Sequence, residues 1–378
     1  MRCRILVVAL VGLCWQCSAW ASSWPFWDHY AAHFVNPQGR VIDPDRSAMT
    51  TSEGQSYAMF FALVAGDTGS FNRIASWTED NLAQGDLAKN LPAWSWGHKN
   101  DGSWGVLDQN SASDSDLWVA YSLIEAGRLW AQPRYSKTGR AMLTLIAKTE
   151  SAVLPQVGTV LLPGRYGFHP DADHWVLNPS YMPLPLLLAA KEVDPQGPWH
   201  SMASALPNWL EQASPSGFAM DWVEYTTGKG FSAVAEPGSS AKSACGSYDA
   251  IRVYLWAGIT AQQSPGATKL LSLFAPMSNY VKAHLSPPEA VNPDGSISST
   301  TAPPGFSAAV LPFLIASGEK SAAGLQLRNV QAQMEPSTGL LGDPPRYYDQ
   351  NLALFALGWR EQRFQFAPDG TLRVQWKK

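Results

Sequence analysis

An apolar stripe at helical spacing recurs along this chain and limits its fold more than any other feature. Tyr57, Phe60, Phe61 and Val64 fall at i, i+3, i+4 and i+7. Leu117, Ala120, Tyr121 and Ile124 repeat the spacing, as do Leu352, Phe355, Ala356 and Trp359. Each stripe gives one helix a single face to bury. Further helical segments are predicted around residues 24–35, 69–84, 135–150, 181–193, 199–213, 249–260, 265–284, 305–317 and 319–333. That makes about a dozen helices without a recognisable sequence repeat, joined by Gly/Pro/Ser-rich loops. The fold class is all-α. So many helices with short connections must close on one another, and a ring of helix pairs would do so; periodicity alone does not separate a toroid from an open solenoid.

Strand signals are few. Residues 363–376 alternate on both sides of Asp369-Gly370 and predict a hairpin. A second hairpin is expected in 158–178 with Pro163-Gly164 as its turn, and 226–248 reads as a long surface loop leading into a helix. No interdomain linker stands out between 22 and 378, so this stretch is expected to be a single domain.

The first 21 residues read as a cleaved secretory signal. Arg2 and Arg4 precede an apolar run from Ile5 to Leu13, and Ala19-Trp20-Ala21 is a small-residue cleavage site. The run is too short to span a bilayer, so no membrane insertion is expected after cleavage. Cys3, Cys14 and Cys17 leave with it, and Cys245 remains without an intramolecular partner. Export without disulfides predicts a periplasmic or secreted protein held by its core. Hydrophobic residues at 46% against 15% charged make such a core sufficient. Beyond the signal, 25 basic residues face 31 acidic ones, because the signal takes two of the chain's 27 basic residues and none of its acids. No basic cluster survives, which argues against nucleic acid as a partner. No Gly-rich phosphate loop follows a strand, and no His or Cys spacing suits a metal, so neither a cofactor nor a metal enters the reading.

Three acids share one local setting. Glu53 in "TTSEGQSY", Asp114 in "SASDSD" and Asp249 in "GSYDAIR" each stand where a helix begins. Taken singly, each reads as a cap or a first-turn acid complementing the helix dipole. However, Ser52 and Ser113 are already placed to cap, and Tyr57 and Tyr248 add surfaces suited to sugars. Three such helix starts at one end of a ring would gather three carboxylates around one mouth. Cleavage of a glycosidic bond requires a protonated carboxyl and an ionised one on opposite sides of it. A helix N-terminus favours ionisation, so the acid of such a pair must be raised by burial or by a neighbouring carboxylate. Asp116 reads as structural. With 17 Trp, 12 Tyr and 14 Phe, aromatic platforms are available; Trp94, Trp96 and Trp104 are read as loop aromatics that either line a groove or close the wall. Cys245, four residues before Asp249, has no His nearby to activate it and is read as incidental.

The longer motifs resemble a known family. "ASDSDLWVAYSLIEAGRLW" (112–130) closely resembles the signature of glycoside hydrolase family 8, and "TTSEGQSYAMFFAL" (50–63) resembles its acid-bearing segment. "NPSYMPLPLL" (178–187), "SYDAIRVYLW" (247–256) and "GFSAAVLPFL" (305–314) resemble the members that accompany bacterial cellulose synthase. The similarity runs from about Trp24 to Trp376. Ala58 and Ser115 depart from the usual small residues without removing a functional group.

The resemblance implies an (α/α)6 barrel with a few short β-hairpins and an inverting endo-β-1,4-glucanase acting on β-1,4-glucan. It implies Glu53 as general acid, Asp249 as the base that activates water, and Asp114 as a residue that distorts and steadies the ring at the scission point. Arg252 matches a site arginine, Tyr181 matches a position near bound sugar, and so does either Tyr347 or Tyr348. With Trp96 and Trp104 these are the expected substrate-binding residues. Inversion predicts a Glu53–Asp249 carboxyl separation of about 6.5–9.5 Å. A link to the cellulose synthase secretion complex is implied by the resemblance alone, and a monomer is expected.

Overall fold

The computed structural model describes residues 24–239 and 243–377; the predicted signal, residues 1–21, lies outside them. Thirteen helices are found among the described residues: α1 Pro25–Phe34, α2 Ser52–Ala65, α3 Thr68–Leu82, α4 Ser113–Leu129, α5 Pro133–Thr149, α6 Leu184–Val193, α7 Trp199–Ala213, α8 Ala250–Ile259, α9 Ala267–Leu273, α10 Ala275–His284, α11 Pro304–Ala316, α12 Lys320–Ala332 and α13 Tyr347–Arg360.

Two kinds of helix alternate. Every residue from Ala250 to Ile259 in α8 is buried, as is every residue from Gly305 to Leu314 in α11. Helices α2, α4, α6 and α13 are likewise buried nearly all round. A helix apolar on all sides must lie inside. By contrast, α5 buries only Gly139, Met142, Leu143 and Ile146, one stripe at i, i+3, i+4 and i+7. Helices α1, α3, α7, α9–α10 and α12 take the same outer role. Each inner helix packs on an outer neighbour and on the next inner helix, giving six pairs in a ring. Phe355 of α13 closes it, its ring centroid 5.0 Å from Tyr57 and 4.7 Å from Phe61 on α2, 5.0 Å from Trp118 on α4 and 5.0 Å from Trp256 on α8. The architecture is the (α/α)6 barrel, and no solenoid is formed.

The segment expected as one helix over 265–284 is two. Pro276 lacks the N–H needed to continue α9, so the chain breaks at Phe274 and restarts.

Short strands trim the ends of the ring. β1 (Thr50–Thr51), β2 (Ser95–His98) and β3 (Trp104–Asp108) form an antiparallel sheet, so Trp96 and Trp104 lie on strands and not in a loop. β4 (Ser151–Leu154) and β5 (Gly158–Leu161) form a hairpin. β6 (His174–Leu177), β7 (Trp222–Thr226) and β8 (Gly230–Val234) form a second antiparallel sheet. Two minor pairs follow, β9 (Ala290–Val291) with β10 (Ile297–Ser299) and β11 (Met334–Glu335) with β12 (Leu340–Leu341). The predicted hairpin over 158–178 is therefore replaced. Its first strand turns back on 151–154, and its second pairs with a strand some fifty residues on, a partner no local pattern marks. The expected loop 226–248 instead opens with a short turn into β8, which folds back on β7.

The C-terminal hairpin is as expected: β13 (Phe364–Phe366) and β14 (Leu372–Val374) pair in register around Asp369-Gly370. Gly370 adopts φ +83°, and an added Cβ would lie 2.0 Å from the carbonyl oxygen of Pro185. Phe364 packs on Phe60, and the Tyr121 hydroxyl donates to the Gly370 carbonyl. The hairpin thus seals the end of the barrel away from the N-termini of α2, α4 and α8.

Candidate active site

At the open end, a pocket of about 180 Å³ is lined by Glu53, Asp114, Asp249, Arg252, Tyr181 and eight neighbours, among them Trp94 and Trp222. The three helix-start acids, spread over almost two hundred residues of chain, therefore do share one mouth.

The capping question resolves differently at each. In α2 the cap is Thr51, whose Oγ1 accepts from Gly54 N at 3.1 Å, so neither Ser52 nor Glu53 is needed for it. The strand before α2 is anchored by Ser52 N donating to the Trp94 carbonyl, which fixes both Glu53 and Trp94 at the rim. In α4 Ser113 does not cap; Asp114 Oδ1 accepts from Ser115 N at 2.6 Å, so this acid helps start its helix and also faces the pocket. In α8 Asp249 holds the cap position yet makes no capping hydrogen bond.

Arg252 organises the acids. It lies on α8 with its side chain only 2% exposed. Nη1 pairs with Glu53 Oε2 and lies 3.5 Å from Asp114 Oδ2, while Nη2 reaches Asp249 Oδ1 at 2.5 Å. Tyr57 and Ser180 hold the fork from behind: Nη1 donates to the Tyr57 hydroxyl at 3.2 Å and Nη2 to Ser180 Oγ at 3.0 Å. The ring of Tyr181 lies 5.7 Å from the guanidinium carbon. The Glu53 and Asp249 side chains remain 23% and 28% exposed, against 4% for Asp114, so the first two are open to an incoming molecule.

Burial pushes the Glu53 carboxyl up to about 7; the Arg252 charge opposes this, and Asp114 and Asp249 add to it. A helix-start acid is thereby kept protonated near neutrality, against the helix dipole. Asp114 is also raised by burial, with Arg252 and the Ser115 hydrogen bonds opposing. Asp116 sits behind the site, fully buried, and both burial and the Glu150 carboxyl raise it well above its ordinary value. Its place is structural, as expected.

Not every expected binding residue reaches the pocket. Tyr181 does. Tyr347 is buried behind Glu53 with its hydroxyl against Gly54, where an added Cβ would meet it at 2.4 Å. Tyr348 donates from its hydroxyl to the Tyr248 carbonyl at 2.5 Å and sits beside the pocket. Trp96 and Trp104 stack on each other at 5.3 Å with the Arg40 guanidinium over both rings; Trp104 is exposed and neither lines the pocket. In their place the wall includes Trp94, Trp222, Arg46 and Glu236, the last three of which the sequence did not mark. Trp222 opens β7, Arg46 ends a short 3-10 helix (Pro44–Arg46) and Glu236 lies in an irregular segment; no local pattern marks any of the three.

A ring of helix pairs with opposed, partly open carboxylates above its centre is the arrangement of a glycoside hydrolase. The model of glycosyl hydrolases family 8 matches residues 3–362, and the chain belongs to that family. It is 43% identical over 357 residues to an endoglucanase of Xanthomonas axonopodis pv. citri (strain 306), covering 94% of this chain and 90% of that protein. An endoglucanase of Escherichia coli (strain K12) is 42% identical, covering 94% and 92%. Among solved structures, an endo-1,4-D-glucanase from Vibrio fischeri ES114 matches with TM-score 0.86 at 40% identity over 94% of this chain and all of that one. The endo-beta-1,4-glucanase CMCax from Acetobacter xylinum matches with TM-score 0.71 at 27% identity, covering 90% and 98%.

Proposed function

We propose that this glycoside hydrolase is an endo-β-1,4-glucanase that cuts cellulose chains internally with inversion, Glu53 acting as general acid and Asp249 as general base. The observation that carries the roles is the shared guanidinium: one nitrogen of Arg252 holds Glu53, the other Asp249, and both carboxyls stay open to the same pocket. The endoglucanase relatives support the substrate.

In the reaction a water molecule attacks the anomeric carbon and gives its proton to Asp249. The bond to the glycosidic oxygen breaks, and that oxygen takes the proton of Glu53. Arg252 binds one oxygen of Glu53 and leaves the other for the proton. Its charge also steadies the two acids that are ionised around the cationic ring. Asp114, nearly closed off beside Arg252, supplies negative charge near the ring. Trp94, Tyr181 and Trp222 offer flat faces to the neighbouring sugars.

Location outside the cytoplasm rests on the predicted signal. Among the described residues no helix is long and apolar enough to cross a membrane. Association with a cellulose-secretion complex extends the sequence resemblance, and co-purification with that complex checks it.

Turnover on carboxymethyl-cellulose, with xylan, chitosan and mixed-linkage glucan as parallel arms, tests the proposal. Glu53→Gln and Asp249→Asn should each abolish new reducing ends while leaving binding intact. Wild-type turnover in both variants, or a preference for another polymer, would overturn it.

A further inference from the structure

The base of the proposed mechanism stands at the start of α8, and that helix start is capped from outside. Asp249 adopts helical angles (φ −80°, ψ −47°) and its side chain makes no capping bond, because Arg252 holds it toward the pocket. The backbone N–H groups at and just before this helix start go instead to Asp221, which directly precedes β7. Its Oδ1 accepts from Ser247 N at 2.8 Å, Asp249 N at 3.0 Å and Ala250 N at 2.7 Å. Cys245 donates its thiol to Oδ2 at 3.4 Å, and Asp221 N donates back to the Cys245 carbonyl at 2.8 Å.

The rest of the joint is as tightly tied. Ala219 N donates to the Tyr254 hydroxyl of α8 at 3.0 Å. Gly246 lies so close to the Ala219 carbonyl that an added Cβ would fall 1.9 Å from it. Trp222, next in sequence to Asp221, lines the pocket. Two successive residues thus serve the two sides of the joint, Asp221 the base helix and Trp222 the pocket wall.

We propose that Asp221 is a positioning residue for the reaction: by taking over the capping of α8 it frees the Asp249 carboxyl for chemistry and fixes where that carboxyl stands relative to the sugar. An acid that capped its own helix would point along the helix axis, with its oxygens spent on backbone N–H groups. Moving that duty to a second acid leaves Asp249 only Arg252 and the pocket. The inference rests on Asp249 being the base.

Four variants test it together on carboxymethyl-cellulose: Asp249→Asn, Asp221→Ala, Asp221→Asn and Asp221→Glu, each with its Tm. A displaced base costs rate more than binding, on the order of 100-fold for about 1 Å. Asp221→Ala should therefore lower kcat by roughly 10- to 100-fold with KM within about twofold. Asp221→Asn, which keeps an oxygen for the three N–H groups, should recover most of kcat. Asp221→Glu, which keeps the charge but not the geometry, should stay low. If Asp221→Ala fails to fold, the order of the other two decides: Asn active and Glu impaired supports positioning, and the reverse order overturns it. Wild-type kcat in a folded Asp221→Ala with only a lowered Tm would also overturn it. Turnover by Asp249→Asn would instead remove the assignment of the base, a failure distinct from that of Asp221.

Discussion

Asp249 and Arg252 stand three residues apart on one helix, and Nη2 of the arginine reaches Oδ1 of the aspartate at 2.5 Å. That spacing puts both on the same face of α8. The other nitrogen of the same guanidinium is then aimed at Glu53, so a buried cation sets the mutual position of the proposed acid and base.

Removing the cation has a signed effect. Arg252 opposes the upward shift of Glu53. In Arg252→Met the Glu53 proton should be retained to higher pH, so the alkaline limb of kcat/KM should move upward while kcat falls by about 100-fold or more through lost positioning. A pH–rate profile on a soluble cellulose derivative checks both. An alkaline limb that moves down would contradict the assignment of Glu53 as acid.

Stability should also respond to pH in a definite direction. Burial raises Glu53 and Glu150 to about 7 and Asp221 and Asp349 to about 6. Between the ordinary carboxyl range and pH 7 the folded chain therefore holds protons that the unfolded chain has released. Stability must fall as pH rises through that window. Tm by calorimetry should be higher at pH 5 than at pH 8, and Glu150→Gln should flatten the slope.

The pocket wall predicts a separation of binding from rate. Trp94 and Trp222 line the pocket, whereas Trp96 is packed between Trp77 and Trp104. Trp94→Ala and Trp222→Ala should each raise KM by roughly tenfold, the equivalent of about 1.4 kcal/mol of lost contact, with a smaller change in kcat. Trp96→Ala should act mainly on Tm. Initial-rate kinetics on cello-oligosaccharides distinguish them.

Two glycines should give opposite signs on the same substitution. At Gly258 of α8 an added Cβ would lie 2.2 Å from the backbone nitrogen of Phe313 in α11. Gly258→Ala should cost roughly 1–3 kcal/mol through overpacking of the inner ring. Gly324 of α12 meets only the tip of Arg328 at 3.7 Å. Gly324→Ala should stabilise by about 0.5–1 kcal/mol through lower unfolded-state entropy. Denaturant titration reads both.

What could be read from the sequence follows the range of the interactions. The stripe through Tyr57, Phe60 and Phe61 and the hairpin at Asp369-Gly370 are set by neighbours in sequence, and both are found. The family motifs carried Glu53, Asp114, Asp249 and Arg252 into one pocket across distant segments. The 174–177 strand, whose partner is 222–226, and the capping of α8 by Asp221 depend on residues with no local mark, and neither was legible. Trp96 and Trp104 were drawn toward the pocket by composition, but their mutual stacking and Arg40 keep them on the sheet beside it.

The proposed chemistry is a single displacement by water held between Asp249 and the sugar. Proton NMR of a cello-oligosaccharide in the first minutes of hydrolysis, before mutarotation, tests it most directly. Newly formed reducing ends should appear first as the α-anomer. Initial release of the β-anomer would contradict it.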